Sequence, residues 1–94
     1  MLLERAELTI REGMEEQFAA AMRAEGVPLL LGVPGVNSVK MGRGVEHPHK
    51  FMLLVHWDSM DAHAAFGGSP ASKALRAVIS PFSTAGAMEH FAFD

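Results

Sequence analysis

The sequence predicts an α+β domain: one four-stranded antiparallel sheet with its helices on one face, in the order βαββαβ. Three observations carry this. Strand-length apolar or alternating runs at residues 2–11, 36–43, 50–57 and 87–93 are separated by stretches with helical apolar spacing. Turn signals at Gly32-Val33-Pro34-Gly35 and Ser80-Pro81 separate the runs. Within 50–57, Phe51, Leu53, Val55 and Trp57 point one way and Met52, Leu54 and His56 the other, so neither face of that strand is wholly polar. Helices in a chain of 94 residues can cover only one of these faces. A second copy, a ligand or both must cover the other.

The first strand, 2–11, sets Leu2, Ala6, Leu8 and Ile10 on one face, and Glu4 interrupts that face near a frayed end. Gly13 ends the strand and opens a helix whose first turn holds Glu15 and Glu16, favourable to the helix dipole. Met14, Phe18, Ala21, Met22 and Leu29 recur at helical spacing. Pro28 lacks a donor, so this helix is expected to end near Glu25, with a short turn through Leu29-Leu30-Leu31. The second strand, 36–43, puts Val39 and Met41 on one face, and residues 44–50 form a hairpin connection. After the third strand, Ser59 caps a short helix through Phe66, and Gly67-Gly68 breaks it. Ser69 and Pro70 start another, with Ala71, Ala74, Leu75, Val78 and Ile79 as its buried stripe. Residues 82–85 are read as a connector before the last strand. This order is the ferredoxin-like arrangement.

Composition narrows the function. The chain is 49% hydrophobic and 20% charged, inside the globular range, and is expected to form one domain over 1–94. No cysteine is present, which excludes disulfides, thiolate metal sites and thiol nucleophiles. The net charge is -3 with scattered cations, so no nucleic-acid partner is expected. The charged N-terminus does not read as a signal peptide and no apolar run is long enough to span a bilayer, so a cytoplasmic location with no membrane partner is expected. No Gly-rich phosphate loop or nucleophile triad is present.

Seven features, taken in order, resemble the antibiotic biosynthesis monooxygenase family of dimeric α+β barrel domains. They are Gly13 with Phe18 a turn later, Pro34-Gly35-Val36, the Arg43-Gly44-Val45-Glu46-His47-Pro48 hairpin, and Trp57-Asp58-Ser59 leading to Asp61-Ala62-His63. Ser69-Pro70, Ser80-Pro81-Phe82 and Met88-Glu89-His90-Phe91 complete the series. The resemblance covers nearly the whole chain and fits a subgroup with a Trp-x-Ser-x-x-x-His segment. It implies a homodimer joined through the open sheet face. Some members oxidise quinols or anthrone-type polyketides with O₂ and neither metal nor organic cofactor; others cleave haem. The haem-cleaving pattern is kept only at Trp57, since Ala6 stands near its Asn position and Gly67 near its ligand His, so no haem is expected. Quinol-oxidising relatives often carry a His near the position of Phe66, about one turn after His63.

Several residues are candidates for a site. His63 can act as a general base, its neutral imidazole taking a phenolic proton, or can serve local hydrogen bonding. Trp57 and Phe66 can hold an aromatic ring in an apolar cavity, and Trp57 can equally be a core or interface anchor. Asn37, Ser38 and Arg43 can orient a substrate oxygen, and His90 can line the barrel mouth or the dimer edge. His56 is expected under the helices or at their edge. His47 and His49 have only Glu46 nearby, so the hairpin is read as solvated and no metal site is expected. The expected function is cofactor-independent monooxygenation of a small aromatic or quinol-like substrate. The alternative is a non-catalytic small-molecule-binding or structural homodimer of the same fold.

Overall fold

The computed structural model describes residues 1–93. Its elements are β1 (Leu2–Ile10), α1 (Glu15–Ala21), a π-helical turn (Met22–Gly26), α2 (Val27–Leu31), β2 (Val36–Arg43), β3 (Lys50–Trp57), α3 (Met60–Gly67), α4 (Pro70–Ile79) and β4 (Ser83–Ala92). The four strands form one antiparallel sheet in the order β2-β3-β1-β4, which is the βαββαβ ferredoxin-like fold.

Strand parity decides where the core lies. Leu2, Ala6 and Ile10 of β1 and Phe51, Leu53, Val55 and Trp57 of β3 are all buried on the side that carries the helices. Phe18 and Met22 reach them from the first helical segment and Leu30 from α2. The Phe18 ring meets Phe51 edge-on, with centroids 4.9 Å apart. The other face of the sheet carries Met52, Leu54 and His56, all half-buried, together with exposed Phe91. Charged pairs share that face: Arg5 with Glu89 at 3.0 Å and Lys50 with Glu7 at 3.6 Å.

Four local expectations are corrected. His56 is not under the helices. Trp57 faces them, so parity turns His56 to the open face, where its Nδ1 lies 2.8 Å from Ser38 Oγ. The first helix does not stop near Glu25. It widens into the π-turn, where the Val27 amide bonds to the Met22 carbonyl, and continues as α2. Pro28 then falls in the first turn of α2, where its missing N–H is tolerated. In α4, Ala74 is exposed and Ser72 is buried in its place. Finally, β4 begins at Ser83, because backbone pairing with β1 continues through Thr9↔Ala85 and, past a bulge, Ile10↔Ser83. Small residues there hide the strand from a reading by apolar alternation.

Two caps and one turn place α3. The Ser59 side chain accepts from the Ala62 amide, and the Ser69 side chain caps α4 by accepting from the Ser72 amide. Gly35 has φ +90, a conformation that favours glycine, and its carbonyl accepts from the Asp58 amide at 2.8 Å. This bond ties the start of β2 to the turn that launches α3.

Candidate active site

The site forms where β1, β3, β4 and α3 meet. In the sheet register Leu2 lies across from Trp57, and Glu4 lies across from Val55 on one side and His90 on the other. Glu4 and His90 therefore project from the same face, toward the helices. His63 and Phe66 are one turn apart on α3, which puts both on the helix face that meets Trp57.

Trp57 is fully buried, and its indole N–H donates to Glu4 Oε1 at 2.9 Å. A bond to a carboxylate is stronger than one between neutral groups, and it fixes the Glu4 side chain. Glu4 Oε1 also lies 3.4 Å from His63 Nε2. The His63 ring stands perpendicular to Trp57 at a centroid distance of 5.2 Å, and Phe66 lies 5.5 Å from the same indole. On its other side His63 meets the His90 ring at 4.4 Å. His90 Nε2 is buried with no hydrogen-bond partner.

A cavity of about 580 Å³ opens beside this cluster. Its apolar wall includes Leu8, Leu53, Phe66, Leu75 and Ile79. Glu4 and His63 are polar groups in that wall, as are Ser72 and Arg76 from α4. Arg76 donates to Ser72 Oγ at 2.8 Å, and among the described residues it has no carboxylate partner. The volume suits a ligand of one to three rings, and an apolar wall with few polar groups is the usual build of a small-molecule site.

The structure thus brings His63, Trp57, Phe66 and His90 together. Asn37 and Arg43 lie elsewhere. Asn37 sits at a bulge in β2 and donates to Asp58 Oδ1 at 2.9 Å on the exposed surface. Arg43 is at the opposite end of the sheet, donating to Glu16 Oε1 at 2.6 Å and to the Pro48 carbonyl at 2.7 Å. Neither lines the cavity beside His63. The sequence reading missed Glu4, Ser72 and Arg76. Glu4 is not at a frayed end; it is buried and paired on both sides. The signal for it was present, since it is the single charged residue on the apolar face of β1. No metal-ligand set was expected, yet Glu4, His63 and His90 bring one donor atom each to within 4.8 Å of one another.

The fold is that of an antibiotic biosynthesis monooxygenase domain. The family's profile, "Antibiotic biosynthesis monooxygenase", matches residues 1–78, and the chain belongs to this family. Among curated proteins, YczJ of Bacillus subtilis (strain 168), described as uncharacterized, is 33% identical over 96 residues, covering 97% of each chain. Among solved structures, a Bordetella bronchiseptica protein named for the same family superposes with a TM-score of 0.90 at 24% identity, over 99% of this chain and 96% of that one. A Caulobacter crescentus protein, likewise named for the family, superposes with a TM-score of 0.83 at 21% identity, over 99% and 90% of the two chains. At these identities the superpositions show the shared fold.

Proposed function

We propose that this protein is a cofactor-independent oxygenase that takes a small aromatic or quinol-like substrate in the cavity beside His63, acting as a homodimer joined through the open sheet face. The observation that carries the reading is the placement of a carboxylate–imidazole pair, Glu4 and His63, in the wall of an otherwise apolar cavity of about 580 Å³.

His63 takes the proton of a phenolic hydroxyl or of an activated C–H, and Glu4 stabilises the imidazolium that results. The anion left in the cavity is electron-rich enough to pass electrons to O₂. The substrate as a whole supplies all four electrons: one oxygen atom is added to its ring as a carbonyl or hydroxyl, and the other leaves as water with two hydrogens of the substrate. Trp57, buried behind the cavity wall, positions Glu4 through its N–H, and Phe66 flanks the ring from the wall itself. Arg76 is placed to meet a substrate oxygen. Dimerisation is supported by the family and by the mixed open face, where Leu3, Met52 and Leu54 are half-buried and Phe91 is exposed.

Two experiments test the reading. The first is O₂ uptake by the purified protein, with chelator and no flavin, across a panel of hydroquinones and anthrones. His63→Ala is expected to reduce uptake about 10²–10⁴-fold while leaving the assembly intact. If no substrate in the panel drives uptake by a folded, dimeric protein, the non-catalytic binding reading replaces this one; a ligand would then raise the melting temperature without consuming O₂. The second is sedimentation of Leu54→Asp, which is expected to be monomeric at concentrations where the parent is dimeric. A carboxylate there would be desolvated without a partner. A Leu54→Asp protein that stays dimeric places the interface elsewhere.

A further inference from the structure

We propose that Glu4, His63 and His90 form a binding site for one first-row transition-metal ion of the Zn²⁺ or Co²⁺ class. The inference is separate from the oxygenation reading.

The three donors come from β1, α3 and β4, and their ligand atoms lie within 4.8 Å of one another. The His63 Nε2 to Glu4 Oε1 distance is 3.4 Å. Ligands held at about 2.0–2.1 Å around a tetrahedral ion are roughly 3.3 Å apart, so this edge already has the required length. His90 needs only a modest side-chain adjustment to complete the triangle. Two imidazole nitrogens and one carboxylate suit Zn²⁺, Co²⁺, Fe²⁺ or Cu²⁺ and not the oxygen-seeking Ca²⁺ or Mg²⁺.

Two further observations point to an ion. His90 Nε2 is buried with no partner, a state that native structures rarely leave unexplained; a bound ion supplies the missing partner. Glu4 is also held from behind by the Trp57 N–H at 2.9 Å, the kind of outer-shell bond that fixes a ligating carboxylate. Because Glu4 and His63 line the cavity, a fourth coordination position would open toward it. Three protein ligands with one open position is the pattern of a site that meets a ligand, in contrast to the closed set of a structural site. A Zn²⁺ ion there also takes the imidazole lone pair that the oxygenation reading assigns to the substrate's proton, so one equivalent would suppress oxygen uptake.

The test uses the tag-free, chelator-treated full chain with metal alone, with no substrate or O₂. Titration with Zn²⁺ by calorimetry and with Co²⁺ by visible absorption is expected to show one ion per chain. His90→Gln is expected to weaken binding by more than the ~10–100-fold that loss of an outer-shell partner costs. The double variant His47→Gln/His49→Gln should bind as the parent does. A readout on the unaltered chain does not depend on any variant folding: one equivalent of Co²⁺ should broaden the ring-proton resonances of His63 and His90 ahead of those of His47, His49 and His56. The proposal is overturned if no stoichiometric binding is seen, if a folded His90→Gln protein binds as tightly as the parent, or if the hairpin histidines respond first. None of these outcomes bears on whether the protein consumes O₂, so the two readings fail separately.

Discussion

Trp57→Ala is expected to destabilise the fold by about 3–5 kcal/mol, the range for truncating a fully buried large aromatic residue. Trp57 has no exposed surface, and it packs against Phe66 and His63. Its loss removes packing and also strips the indole N–H from the buried Glu4 carboxylate, in a site nearly closed to water. Urea unfolding at fixed protomer concentration measures the effect, since association would otherwise shift it. Trp57→Phe separates the two contributions. It keeps much of the ring volume and loses the donor, so it should cost about 1–3 kcal/mol and act mainly through Glu4. A Trp57→Ala loss under about 1 kcal/mol would contradict the role of Trp57 as the packed link between β3 and α3.

Gly35→Ala is the second large effect. A Cβ at Gly35 would lie 2.6 Å from the Ala62 Cβ, and Gly35 already has φ +90. The substitution therefore combines left-handed backbone strain of about 1–3 kcal/mol with overpacking of similar size. Gly13→Ala supplies the comparison: its φ is +88 but nothing lies within 4 Å of the new Cβ, so only backbone strain applies. The difference between the two unfolding free energies reads the clash with α3. Gly35→Ala should also displace His63, because Ala62 immediately precedes it on α3. Equal losses at the two positions would mean that α3 yields freely to the turn.

Much of the fold was legible because its signals are local. The serines that cap α3 and α4, the Gly67-Gly68 break and the bounds of β2 and β3 each follow from a few neighbouring residues. What escaped depends on pairing across the chain. The start of β4 is fixed by β1, not by its own small residues. The face of His56 could be paired against that of Trp57 by parity, but which face the helices cover is a tertiary fact. The site divides the same way. Trp57, His63 and Phe66 fall within one short segment, so their proximity could be anticipated. Glu4 and His90 join them only through the β1–β4 register, and a lone carboxylate on an apolar strand face reads as a flaw until its indole partner is known.

The π-turn at Met22–Gly26 bears on how this chain tolerates insertion and deletion. Successive residues in an α-helix are rotated by about 100°, so one residue more or less before α2 changes the direction in which every later side chain points. With the π-turn in place, Leu30 enters the core. Deleting one residue within it would restore regular α-helix and swing Leu30 by roughly a quarter turn, exchanging it for a neighbour such as exposed Leu31. Family members without the extra residue must therefore carry their apolar position one place away, and a single gap between α1 and β2 is where their sequences should lose alignment with this one.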